Sequence, residues 1–117
     1  MSEREWNFYL DDMISFSDKV LIYTKGLDQR GFEADEKSFD ATLRNLELIG
    51  EASTHIPDAI REKYPAIPWR QVAATRNRLI HGYLGIDNDI LWSIIHDDIP
   101  VLLETLKKVK LQAPASS

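Results

Sequence analysis

The stretch richest in chemistry is Arg76-Asn77-Arg78-Leu79-Ile80-His81-Gly82-Tyr83. Histidine titrates near neutral pH and is the natural acid–base group. Arginine offers a planar, permanently charged fork that holds phosphate and stabilises charge building up on it. Asparagine can orient a hydroxyl or an imidazole. Together these types suit RNA cleavage without metal: the 2′-hydroxyl attacks the neighbouring phosphate, given a base, an acid and a cation. One chain supplies a single Arg76–His81 set here, which is thin. Two copies related by a twofold axis would place two sets in one groove, so symmetry is a chemical requirement of this reading. The plain alternative is that an arginine and a histidine on a helix are a solvated face.

These residues need a helix end to position them. Asn77 and His81 are four apart and share a helix face. Arg76 and His81 are five apart, about 140° around the axis at 100° per residue. Both can still reach one cleft at the helix terminus. Tyr83 is nearly eclipsed with Arg76 if helical geometry persists past Gly82. The dipole at a helix C-terminus favours the protonated ring of His81.

The supporting elements read as helices from a 3.6-residue apolar period. Trp6, Tyr9, Leu10, Met13, Phe16, Val20 and Tyr23 mark a first helix over about 4–25, ending near Gly26. Gly26, Asp28 and Gly31 signal a loop to Asp35. A second helix spans about 35–54, with Asp35 as N-cap and the stripe Phe39, Leu43, Leu46, Ile49 and Ala52. A short helix fits at 58–63, between Pro57 and Pro65. A third starts at Pro68 and should run to His81, with Gly82 as its C-terminal cap. A fourth starts after Asp87 or Asn88 and runs to about Leu111, with Leu91, Ile95, Ile99, Leu102, Leu106 and Val109 as its stripe and Pro100 expected to kink it. Nothing reads as a strand pair. The expected fold is all-α, a single-domain up-and-down bundle of four to five helices over residues 1–111, with 112–117 a disordered tail.

Composition fits this frame. The 117 residues are 44% hydrophobic and 28% charged, ordinary for one globular domain. No cysteine is present, which excludes disulfides, thiolate zinc sites and a cysteine nucleophile. No signal peptide or membrane-spanning run is visible, and a cytoplasmic location is expected. The net charge of −5 opposes indiscriminate nucleic-acid binding. Its distribution differs. Residues 1–60 carry 6 basic and 13 acidic side chains, net −7. Residues 61–81 carry Arg61, Lys63, Arg70, Arg76 and Arg78 against Glu62 alone, net +4. An acidic chain thus holds one basic island, and a local patch decides whether a phosphate backbone can dock. Arg70 and Arg78 are candidate substrate-binding cations within it.

Other polar residues weigh less. Glu47 and Glu51 share a face of the second helix and could support acid–base work, hold Arg76 in place from behind, or be a surface stripe or a salt-bridge partner. His55 at that helix's end suits a cap or dipole role. His96, Asp97 and Asp98 are adjacent and point three ways, a poor metal site, so no metal or other cofactor is expected. Trp6, Trp69 and Trp92 read as core or interface aromatics, with base stacking open for Trp69 alone. The Lys107, Lys108 and Lys110 cluster suits a helix C-terminus.

Arg76-Asn77-x-x-x-His81 resembles the R-polar-x(3–5)-H signature of HEPN-domain ribonucleases. The run from Pro68-Trp69-Arg70-Gln71-Val72-Ala73-Ala74 through Ile80-His81-Gly82-Tyr83 resembles the HepT branch of that family, the toxin of HepT–MntA systems. Asn45-Leu46-Glu47-Leu48-Ile49-Gly50-Glu51-Ala52 is similar to that branch's second-helix pattern. The resemblance spans nearly the whole chain. It implies a HEPN-like helical bundle that forms a homodimer, alone or within a larger hetero-oligomer, with the motif helices facing a shared cleft. It implies a metal-independent endoribonuclease that leaves a cyclic phosphate, with Arg76 and His81 catalytic and Asn77 assisting. Either tRNA or mRNA would fit as substrate, with tRNA favoured. It implies that Tyr83 receives AMP from ATP through the MntA-like nucleotidyltransferase partner. An adenylyl group adds charge and bulk beside a phosphate site and would exclude RNA. Two other functions fit the residues: a non-catalytic binding module or partner subunit for a nucleotidyltransferase, and a dimerisation domain without a ligand.

Overall fold

The computed structural model describes residues 3–80 and 85–112. Helix α1 runs Glu3–Thr24 and stops before Gly26, whose φ of +79° suits a residue without a Cβ. Trp6, Leu10, Met13 and Val20 are buried as expected, but the stripe continues through Ser17 and Thr24, and Tyr23 faces out. Small hydroxyl residues can occupy those core positions because each satisfies itself on its own helix. Ser17 Oγ donates to the Met13 carbonyl at 2.7 Å and Thr24 Oγ1 to the Val20 carbonyl at 2.8 Å.

The segment expected to be loop contains a short helix, α2, Gln29–Ala34. Asp28 caps it by accepting from the Gly31 N–H, and Phe32 anchors it in the core. Helix α3, Glu36–Thr54, begins at the expected cap: Asp35 accepts from the Ser38 N–H. That hydrogen bond, with a second from the Ser38 hydroxyl, holds the Asp35 carboxyl below its ordinary range. Helix α4 is Asp58–Lys63, as the prolines implied.

The helix expected over 68–81 is two pieces, α5 (Trp69–Ala73) and α6 (Thr75–Leu79), with Pro68 before the first. No glycine or proline causes the break at Ala74. Thr75 Oγ1 donates back to the Val72 carbonyl at 2.7 Å, an alternative partner that competes with the regular helix ladder. The helix also ends earlier than expected. Ile80 is extended and pairs antiparallel with Ile86 as an isolated bridge, and the Asp87 N–H donates to the Leu79 carbonyl at 2.8 Å. Helical spacing therefore does not carry from Arg76 or Asn77 to His81. The expected Gly82 cap lies outside the described residues.

Helix α7, Asn88–Ser93, starts at Asp87, which accepts from the Ile90 N–H. A π-helical turn, Ile94–Asp98, joins it to α8, Ile99–Gln112. This turn is the form taken by the kink expected at Pro100. Proline has no N–H for the His96 carbonyl and its ring would strike that group in a regular helix. The ladder widens instead, with the Ile99 N–H on the Ile94 carbonyl. The predicted stripe of Leu91, Ile95, Ile99, Leu102, Leu106 and Val109 is buried throughout.

Helices α1, α3 and α8 carry the core. Tyr9 of α1 stacks on His55 at the end of α3, and Lys110 of α8 pairs with Asp11 of α1 at 3.1 Å, so both neighbours run antiparallel to α1. Helix α2 ties to α7 through Gln29–Asp89 and Asn88–Glu33 hydrogen bonds. The chain is all-α, one globule with the bundle architecture of a HEPN-like domain. Among the described residues no helix is long and apolar enough to cross a membrane.

Candidate functional site

The basic island is held against α3 by one close approach. A Cβ added to Gly50 would stand 3.1 Å from the Val72 carbonyl oxygen, so any side chain there would press α5 back by a few tenths of an ångström. Trp69 anchors the other side, buried, with its Nε1 donating to the Tyr64 carbonyl at 3.0 Å. Helix α6 leaves this anchored corner and presents Arg76, Asn77 and Arg78 to solvent, with Leu79 buried beneath them.

Three consecutive residues step about 100° each around a helix and must look three ways. Arg76 faces α3, in a cavity of about 230 Å³ walled by Arg44, Glu47, Glu51, Thr54 and Ala73. The structure thus brings together Arg76, Glu47 and Glu51. It does not tie them by an ion pair among the described residues. Glu47 instead meets Arg44 at 3.8 Å, one turn away on α3. Arg76 keeps its donors available.

Asn77 looks the other way, into a broader hollow of about 500 Å³ lined by Arg61, Trp69, Arg70, Ala73 and Ala74. The exposed Ala73 belongs to both walls, so the two cavities adjoin at this residue. Arg76 and Asn77 do not share one cleft within the chain; they open onto adjacent ones.

Arg78 turns toward α8. Its Nη2 donates to Asp98 Oδ2 at 3.2 Å, at the rim of an apolar groove over Ile49, Val72 and Leu102. The π-helical turn puts Asp98 there. The same turn carries His96 beside Asp97 at 3.0 Å, and this hydrogen bond is the main reason the Asp97 carboxyl lies below its ordinary range. His55 caps α3 and stacks on Tyr9 with ring centroids 4.5 Å apart. Among the described residues no cluster of three or more metal-ligating side chains forms.

His81 and Tyr83 lie outside the described residues. The described residues on either side, Ile80 and Ile86, pair as an isolated bridge. Two residues of the site were not singled out from sequence. Arg44 shares the face of Glu47 and Glu51 by its three- and seven-residue spacing, a signal that was available. Arg61 was visible only as one charge in the island. Its role depends on distant carbonyls: Nε donates to Ile56 at 2.9 Å and Nη2 to Ser53 at 2.8 Å.

A candidate RNase of Methanocaldococcus jannaschii is 38% identical over 93% of this chain and 100% of its own length. The probable ribonuclease HepT of Thermococcus cleftensis is 36% identical over 92% of this chain and 98% of its own. A candidate RNase of Caldanaerobacter subterraneus subsp. tengcongensis is 34% identical over 86% of this chain and 90% of its own. No solved structure matches significantly. The profile of the family described as Ribonuclease HepT-like matches residues 13–109. The chain belongs to the HepT-like ribonuclease family.

Proposed function

We propose that this chain is a metal-independent endoribonuclease, the toxin of a toxin–antitoxin pair, active as a homodimer. The observation that carries the reading is Arg76 itself: exposed, without a side-chain partner among the described residues, and lining an open cavity that adjoins a second one at Ala73. A guanidinium that is neither buried nor tied in an ion pair is suited to bind a phosphate. The membership in a ribonuclease family supplies the substrate class.

The reaction balances without a cofactor. A neutral His81 takes the proton of the RNA 2′-hydroxyl. The freed oxygen attacks the adjacent phosphorus, and the bond to the 5′-oxygen breaks. A protonated His81, supplied by the second subunit, gives that leaving oxygen its proton. The products are a 2′,3′-cyclic phosphate and a 5′-hydroxyl. Arg76 stabilises the extra negative charge on the phosphoryl oxygens in the transition state. Asn77 orients the attacking hydroxyl or the imidazole. Glu47 and Glu51 act from behind, setting the direction of Arg76.

Tyr83 is the regulatory site. A partner nucleotidyltransferase moves AMP from ATP onto its hydroxyl with release of pyrophosphate. The added phosphate charge and bulk would repel the RNA backbone. Incubation of unmodified protein with total RNA in EDTA tests the activity: cyclic phosphate ends are expected, and cleavage that requires an added divalent ion would overturn the reading.

A further inference from the structure

The two cavities beside Ala73 differ in charge. The one that Arg76 faces is balanced, with Arg44 and Arg76 against Glu47 and Glu51. The one that Asn77 faces holds Arg61 and Arg70 and no carboxylate.

Arg61 is also fixed in advance. Its bonds to the Ser53 and Ile56 carbonyls fasten Nε and Nη2, and Nη1 is left over from the fork. A cation held this way has little side-chain freedom left to lose when an anion arrives. Arg70 is exposed and has no side-chain partner among the described residues, so it can close on the same anion. Trp69, tied to Tyr64, forms a rigid part of the same wall. Arg78, the other cation expected to meet substrate, is engaged by Asp98.

We infer that the Arg61–Arg70 cavity is a phosphate subsite, which holds the RNA phosphate flanking the scissile one while Arg76 faces the scissile phosphate across Ala73. The inference rests on the ribonuclease reading and names where its substrate is gripped.

Binding and cleavage are measured separately to test it. The probe is a fluorescent 2′-O-methyl oligoribonucleotide, which has no attacking hydroxyl. Its affinity for the full, unmodified chain is read by anisotropy in EDTA across a potassium chloride series. Arg70→Met is expected to bind about tenfold more weakly, as for loss of a charge-assisted hydrogen bond. Its slope of log affinity against log salt is expected to flatten by about 0.7, one single-strand phosphate contact. Arg61→Lys keeps the charge and loses the fork, so affinity falls while the slope holds. Lys107→Met removes an exposed charge on α8, outside both cavities, and should match wild type. Arg61 also serves two carbonyls, so its variant is read only with an unchanged melting temperature; Arg70 has no such contact and carries the test alone. The inference is overturned if Arg70→Met binds like wild type, if Lys107→Met loses as much, or if wild type does not bind. Binding that depends on Arg70 with no RNA cleavage would sink the ribonuclease reading and leave the subsite standing. Cleavage with a KM indifferent to Arg70 would do the reverse.

Discussion

The Gly50 Cα and the Val72 carbonyl meet so closely that a methyl group on Gly50 would stand 3.1 Å from that oxygen. The same oxygen accepts the Thr75 hydroxyl at 2.7 Å, so it cannot simply swing away. This one contact sets the distance from α3 to α5, and through α5 the placement of Arg76 over Glu47 and Glu51. Gly50→Ala has opposed effects on stability. Alanine gains about 1 kcal/mol of helix propensity over glycine. The displaced carbonyl costs about the same or somewhat more. Stability is therefore expected to stay within about 1 kcal/mol of wild type by urea titration, while RNA cleavage falls about tenfold through misplacement of the guanidinium. Unchanged cleavage would show that this contact does not position the site.

Arg78 illustrates how two residue steps change a role. It lies two residues after Arg76 in sequence but pairs with Asp98, with both side chains well exposed to solvent. Exposed pairs of this kind contribute about 0–1 kcal/mol. Arg78→Ala is expected to shift stability by less than about 1 kcal/mol and to leave the cleavage rate far closer to wild type than Arg76→Ala does. Equal losses in the two variants would place Arg78 in the reaction.

The start of α3 gives a pH-dependent signature. Hydrogen bonds from Ser38 hold the Asp35 carboxyl below its ordinary value of 3.8. The folded chain therefore binds this proton less readily than the unfolded chain, and the charged cap contributes stability above the ordinary carboxylate range. That contribution disappears as pH falls through the lowered value. Asp35→Asn, which keeps a capping oxygen without the charge, should melt below wild type at pH 6. The two melting curves should converge toward pH 3, and a constant gap would contradict the assignment.

Tyr83 carries the regulatory part of the proposal. Tyr83→Phe keeps the ring and removes the hydroxyl that would accept AMP. With a cognate nucleotidyltransferase and ATP, wild type should gain the mass of AMP and lose RNA cleavage. Tyr83→Phe should gain no mass and stay active. Silencing of both proteins alike would mean that the partner acts by binding or at another residue.

Much of the fold was legible in the apolar pattern. The stripe from Leu91 to Val109 is buried as its spacing required, and Asp35 and Asp87 cap the helices they precede. The departures have specific physical causes. Helix α2 is too short for a periodic signal and announces itself only by the Asp28 cap. The break at Ala74 comes from a threonine hydroxyl rather than from glycine or proline. The early end of α6 comes from Ile80 pairing with Ile86 across the segment between them. The candidate site was legible in residue type but not in grouping. Spacing alone placed Arg76, Asn77 and His81 toward one cleft. The break, the early end and the Gly50 contact divide Arg76, Asn77 and Arg78 among three surroundings.

The most direct test of the central claim is the single-turnover rate of RNA cleavage in EDTA for wild type, Arg76→Ala and His81→Ala. A general acid–base group contributes about 10²–10⁴-fold, and an oxyanion-stabilising cation a similar factor. Wild type should produce cyclic phosphate ends, and each variant should be slower by at least about a hundredfold with its melting temperature retained. Full cleavage by folded Arg76→Ala or His81→Ala would contradict the assignment of this motif as the catalytic centre.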